Sequence, residues 1–224
     1  MLCFLGFSYK TQTMTMSETI IDISPVISEE LAVFPGDVAF KRTMTMNFDQ
    51  GHHLGLSSIQ GTVHLGAHTD APNHYHSKGS GIEKRKLELY YGKCQVITVT
   101  IPKGKRILPK DIEGIEIKAP RVLFNTGSFP DPNNWNEDFN SLSPELIEEL
   151  SKKGVILVGL DTPSVDPSTE KDLTSHLKIY ELDMAILEGV VLSHVDDGVY
   201  KLIALPLKIK DCDASPVRAV LIKD

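Results

Sequence analysis

The segment His64-Leu65-Gly66-Ala67-His68-Thr69-Asp70-Ala71-Pro72-Asn73-His74 constrains this chain more than any other stretch. It sets three of the chain's eight histidines and a carboxylate among small and apolar neighbours. Pro72 lacks the amide hydrogen a helix interior needs and Gly66 disfavours helix, so one regular helix does not run through the motif. The segment reads instead as a strand end and a turn, with the glycine bending the backbone and Pro72 stiffening the exit. A single histidine is ordinarily a surface or satisfied core residue, but four such side chains beside apolar strands would be costly to bury unpaired. The other reading of the cluster is a solvated polar loop. Imidazole nitrogens and carboxylate oxygens without thiolates suit zinc first, then manganese or iron; calcium and magnesium call for more oxygen ligands.

Strands dominate the rest of the pattern. Thr19 to Ser24 and Leu56 to His64 read as strands, as do the apolar, β-branched runs Cys94 to Ile101, Val122 to Phe124, Val155 to Leu160, Val190 to Leu192, Leu202 to Leu207 and Val217 to Ile222. One helix is well marked, with Ser143 as N-cap, Pro144 at the first helical position and Gly154 past its end. A second is predicted over Thr174 to Leu187, where Leu177, Tyr180, Met184 and Leu187 recur at helical spacing and His176 lies near the start. No repeat or low-complexity linker divides the chain. The expectation is a single mixed, strand-rich α/β domain over residues 18 to 224, preceded by a flexible extension over 1 to 17. The strand order stays open at this point.

Composition narrows the class of partner. The 224 residues can bury a sizeable single core. The net charge of −7 has no basic stripe to set against phosphates, which argues against nucleic acid and anionic membranes and in favour of a small molecule. Cys3, Cys94 and Cys212 are odd in number and widely spaced, so neither a disulfide framework nor a thiolate site is expected, and a cytoplasmic, reducing location fits. The apolar start MLCFLGF has no basic residues before it and is not read as a signal peptide.

The pattern His-x-Gly-x-His-x-Asp-Ala-Pro-x-His resembles the signature of the metal-dependent cyclase-like hydrolases, the family that contains the bacterial kynurenine formamidases. Further segments resemble later motifs of that family in the right order: Gly159 to Pro167, Ser175-His176, Ala185 to Gly189 and Leu202 to Leu207. The resemblance covers about residues 18 to 222. It implies a swivelling β/β/α type of domain, two divalent ions per subunit, and a homodimer. By the same resemblance the metal ligands are His64, His68, Asp70, His176 and Glu188, the acid-base residue is His74, and Phe34 meets the substrate. The implied activity is of the arylformamidase type, hydrolysing N-formylkynurenine to kynurenine and formate in tryptophan degradation.

Two carboxylates would leave a pair of divalent ions net positive, and metal coordination makes water a nucleophile at neutral pH, so no nucleophilic serine or cysteine is called for. Two alternatives stand beside this reading: a related hydrolase of another amide or lactam, such as an isatin-type ring, and a metal-stabilised binding domain in which the cluster is structural. His52, His53 and His194 match no ligand position and read as solvent-exposed polar residues, while Asp161 and Asp166 read as turn or capping residues. Asn73 stands where the family often has an apolar residue, and His76 adds a histidine; both bear on substrate preference more than on metal binding.

Overall fold

The computed structural model describes residues 18–223, so the expected extension over 1–17 lies outside the described residues. In chain order the strands are β1 (Thr19–Asp22), β2 (Lys41–Met46), β3 (Leu56–Gln60), β4 (His68–Asp70), β5 (Tyr91–Thr98), β6 (Arg106–Ile107), β7 (Arg121–Asn125), β8 (Ser141–Leu142), β9 (Leu157–Leu160), β10 (Ala185–Leu187), β11 (Gly198–Ile203), β12 (Ala214–Pro216) and β13 (Val220–Lys223). The helices are α1 (Pro72–Tyr75), α2 (Pro144–Lys152) and α3 (Thr174–Glu181).

One seven-stranded sheet, ordered β1-β13-β11-β5-β7-β9-β10, forms the frame. Its first half is antiparallel and its second half, from β5 through β7 and β9 to β10, is parallel. Side chains alternate across a strand, so each buried strand feeds two cores. Val96, Leu123, Leu157, Leu187, Leu202 and Leu221 fill one face. Ile97, Val122, Phe124, Val158, Leu160 and Ile186 fill the other, where Leu146, Ile147 and Leu150 of α2 and Ile179 of α3 cover them. The α2 boundaries agree with the sequence signals: the Ser143 hydroxyl accepts from Leu146 N at 3.1 Å, a cap worth about 1 kcal/mol.

The first face is covered by a short antiparallel pair, β4 with β12, in which Asp70 stands opposite Ala214 and His68 opposite Pro216. An isolated bridge then ties His68 to Glu188, the residue after β10. The histidine-rich segment is thereby brought to the carboxyl ends of β9 and β10, where open α/β sheets characteristically bind ligands. Strands β2 and β3 form a separate ribbon with almost every residue exposed.

The structure corrects several expected boundaries. The run from Leu56 ends as a strand at Gln60, not His64, and α3 stops at Glu181, not Leu187. Leu182 caps it, and Asp183 takes a left-handed φ of 49°, which turns the chain out of the helix. Ala185–Leu187 then becomes a strand parallel to β9. Val190 and Leu192 are buried, but the run Val190 to Leu192 is not a strand, because its amides reach two different elements: Val190 N bonds Leu160 O and Val191 N bonds Ile23 O. No helix among the described residues is long and apolar enough to cross a membrane.

Candidate metal centre

Three elements deliver the five side chains. His64 lies in the loop before β4, His68 and Asp70 are the first and last residues of β4, His176 is in the first turn of α3, and Glu188 follows β10. Gly66, at φ 58°, makes the turn between the first two histidines. Gly189, at φ 64°, lies against that turn: a Cβ built on it would stand 2.2 Å from the Gly66 carbonyl oxygen. Gly189 is thus required by the way the two loops pass each other, and Gly66 by its left-handed turn against Pro25 and Leu31.

Asp70 occupies the middle and is only 2% exposed. Its Oδ1 stands 3.0 Å from His64 Nδ1 and 3.4 Å from His68 Nε2, while Oδ2 stands 3.4 Å from His176 Nε2. None of these approaches has hydrogen-bond alignment, and both Asp70 oxygens are buried without a hydrogen-bond partner. Glu188 repeats the division, with Oε2 at 3.2 Å from His68 Nε2 and Oε1 at 3.8 Å from His176 Nε2. Val165 N, donating to Glu188 Oε1 at 2.6 Å, steadies that carboxylate.

The far nitrogen of each imidazole is engaged elsewhere. His68 Nδ1 donates to the Gly66 carbonyl at 2.9 Å, His176 Nδ1 to Asp166 Oδ2 at 2.7 Å, and His64 Nε2 to Asp213 Oδ2 at 3.1 Å. A neutral imidazole protonated on the far side presents a bare lone pair on the near side. Three such lone pairs facing two carboxylates repel unless a positive charge lies between them. Protons can supply it: burial opposes charge on His68, yet Asp70 and Glu188 outweigh burial and raise its pKa to about 10. His176 is likewise opposed by burial and raised to about 10 by Asp166 and Asp70. Divalent cations supply the same charge more completely, and the orphaned oxygens of Asp70 with a nitrogen and oxygen donor set fit that group. His64 and His68 with Asp70 form one group able to hold an ion, and Asp70 with His74 and His176 form another.

His74, on α1, stands at the rim with its side chain 34% exposed. Its ring centroid is 4.1 Å from that of His64 and 6.0 Å from that of His176. Burial outweighs the neighbouring carboxylates and lowers its pKa, leaving a free base at neutral pH. Beyond the rim opens a cavity of about 620 Å³ lined by Phe34, His64, His68, His74, Trp135 and Glu188, among others. Phe34 meets Trp135 edge to face at 5.0 Å. All seven residues singled out from the sequence therefore reach one site.

The other side chains in question fall elsewhere. His52 bonds within its own turn, and His194 bonds Asp22 O at 3.0 Å. Asp161 accepts from the Thr126 and Gly127 amides at 3.0 and 2.7 Å, a turn-holding role. Asp166 caps α3 through Ser175 N and His176 N, both at 3.1 Å, but also orients the His176 ring, and Arg106 pairs with it at 2.8 Å. That orienting role, and the place of Asp213 and Trp135 in the site, were missed from the sequence, because nothing local to them signals partners so far along the chain.

Comparison with known proteins places these features. The Cyclase family model matches residues 21–167. A curated kynurenine formamidase from Bordetella petrii is 41% identical over 201 residues, spanning 89% of this chain and 96% of that protein. Among solved structures, a potential metal-dependent hydrolase with cyclase activity superposes with a TM-score of 0.80 at 26% identity, over 93% of this chain and 99% of the other. Isatin hydrolase A from Labrenzia aggregata superposes with a TM-score of 0.78 at 20% identity, over 92% and 93% of the two chains, a likeness of fold.

Proposed function

Because this chain belongs to the Cyclase family, we propose that its histidine and carboxylate centre hydrolyses the formamide of N-formylkynurenine, releasing kynurenine and formate. The observation that carries the reading is the convergence of His64, His68 and His176 on Asp70 and Glu188 beside an open aromatic cavity. A single structural ion would be closed off by its ligands, whereas this centre faces a cavity large enough for an aryl amino acid.

The ligands are His64, His68, Asp70, His176 and Glu188, and the division of each carboxylate between two sets of imidazoles supports a pair of ions, with zinc the first choice. When bound, such ions supply an activated water and positive charge for the carbonyl oxygen. His74 takes the proton from the attacking water and returns it to the departing aryl amine, a task suited to an imidazole that is neutral at rest. Phe34 gives the substrate's ring an apolar wall, braced from behind by Trp135. The buried carboxylates and the packing of Tyr75 against His176, with centroids 5.2 Å apart, hold the imidazoles still while this happens.

A homodimer in the cytoplasm belongs to the same proposal. Exposed Met44, Phe48, Leu56 and Ile59 on and around the β2–β3 ribbon support the first, and the free thiols of Cys94 and Cys212 the second.

The test is absorbance-monitored hydrolysis of N-formylkynurenine by the purified protein, before and after chelation and zinc restoration, with isatin alongside and metal counted per chain. Chelation should abolish hydrolysis and zinc restore it. Turnover of isatin alone would replace the formamidase reading, and a protein inert on both that unfolds on chelation would make the ions structural.

A further inference from the structure

Asp213 stands outside the five proposed ligands, yet its carboxylate reaches the ring of His64. Its Oδ2 is 3.1 Å from His64 Nε2 and 3.7 Å from His74 Nδ1. The backbone fixes that position. Ala214 of β12 pairs with Asp70 of β4, so Asp213 falls beside Ala71, and the Ala71 amide bonds the Asp213 carbonyl at 2.8 Å. The preceding loop is pinned as well: Ile82 N bonds Cys212 O at 2.9 Å, Asn73 Nδ2 bonds Asp211 O at 3.2 Å, and Asp211 N bonds Glu83 Oε2 at 3.0 Å. Asp211 itself takes a left-handed φ of 56°, a conformation that a non-glycine residue holds only where its surroundings dictate it.

His64 has most need of such support. His68 and His176 are packed to 3% side-chain exposure, and their rings are held by Gly66 O and the buried Asp166. His64 lies on a loop at 17% exposure, so packing holds its ring less closely than theirs. A carboxylate that accepts Nε2–H decides both matters: it selects the tautomer with Nδ1 bare, and it aims that nitrogen at Asp70 Oδ1. His74, whose ring lies tilted at 44° with its centroid 4.1 Å from that of His64, borders the same carboxylate and rests against the ring that Asp213 holds.

We infer that Asp213 is the positioning residue of this centre, which holds His64 with Nδ1 turned to the cation and thereby sets the affinity of the His64 and His68 half of the site. The inference rests on the metal-centre part of the proposed function and is independent of which substrate is hydrolysed. In this role Asp213 is not a ligand of the Asp70 centre, because its carboxylate lies on the far side of the His64 ring from Asp70. With His64 and His74 it forms a separate group able to hold an ion, and the zinc stoichiometry at saturation distinguishes the two roles.

The experiment is a zinc titration of the full-length chain against a chromophoric chelator, for wild type, Asp213→Ala, Asp213→Asn and Asp213→Glu, with zinc per chain counted at saturation. The Asp213 side chain is 48% exposed, so the variants should fold, and circular dichroism with thermal unfolding checks that they do. Asp213→Ala is expected to weaken zinc binding about 10- to 100-fold with unchanged stoichiometry at saturation. Asp213→Asn keeps an acceptor oxygen and should fall between, and Asp213→Glu should recover part of the loss. Wild-type affinity in folded Asp213→Ala overturns the inference, as does the loss of one zinc equivalent at saturation, which would make Asp213 a ligand. A wild-type chain that binds no zinc would instead fail the metal-centre reading beneath it.

Discussion

His68 and Glu188 exchange both of their main-chain hydrogen bonds, His68 N to Glu188 O at 3.0 Å and Glu188 N to His68 O at 2.9 Å. The pairing closes the histidine-rich turn onto the end of the parallel sheet, so two proposed ligands from distant parts of the chain are set by backbone rather than by side-chain packing. Everything that keeps these loops in register should therefore also keep the centre intact.

Gly189→Ala tests that dependence. Its Cβ would meet the Gly66 carbonyl oxygen at 2.2 Å, at a φ of 64° that costs a non-glycine residue about 1–3 kcal/mol before any clash. Zinc affinity and the thermal midpoint should both fall, read by chelator competition and calorimetry. A variant with wild-type values for both would show that the two loops are not held in this register.

His74→Asn and Phe34→Ala should separate chemistry from binding. The first removes the proton carrier while leaving the five proposed ligands in place, so kcat should drop about 10²- to 10⁴-fold with zinc content unchanged. The second removes an apolar wall, so KM should rise with a smaller effect on kcat. Steady-state kinetics with zinc counted in each variant decide it; unchanged turnover in His74→Asn removes His74 from the reaction.

Part of the proposed site was legible in the sequence: the glycine and proline of the His64–His74 segment betray a turn that gathers His64, His68 and Asp70, whereas His176 and Glu188 stand out only through the resemblance of their segments to the cyclase-like hydrolases. Asp166 and Asp213 were not legible as orienting residues, since each acts on a histidine delivered by another element. The helix predicted through Leu187 failed for a related reason: Met184 and Leu187 keep the apolar spacing of a helix while facing a sheet core. Val190 to Leu192 is apolar enough for a strand, but its amides divide between Leu160 and Ile23. Apolar pattern reports burial, and the hydrogen-bond partners that turn burial into a strand come from the tertiary fold.

Asp166 is fully buried and joins the His176 ring, the start of α3 and Arg106. Removing one member of such a buried set strands the others, so Asp166→Ala should cost about 3–5 kcal/mol in urea unfolding. Asp213→Ala, whose side chain is half exposed, should cost under about 1 kcal/mol. Equal losses in the two variants would contradict the division between a residue that holds the fold together and one that aims a ring.

The last prediction concerns pH. In the metal-free protein the pKa values of His68 and His176 are raised to about 10, against about 6.5 in an unfolded chain. A raised folded pKa contributes stability that is fully present below about pH 6.5 and is lost as pH climbs through about 10. Asp70 and Asp166 shift the other way: burial opposes their charge, but His176, His64 and His68 outweigh it at Asp70, and His176 with the His176 and Ser175 amides outweighs it at Asp166, so both pKa values are lowered. Their contributions are present above about pH 3.9 and vanish as pH falls through the depressed values. Zinc requires bare nitrogens and so must displace the imidazolium protons, which makes its binding tighter as pH rises. The gap between the unfolding temperatures of zinc-loaded and chelated protein should widen steadily from about pH 6.5 to about pH 9, because the chelated form is losing its imidazolium pairs while the loaded form gains affinity. Calorimetry of the two forms across that range measures the gap. A gap that stays constant or narrows would mean that protons and zinc do not compete for the nitrogens facing Asp70.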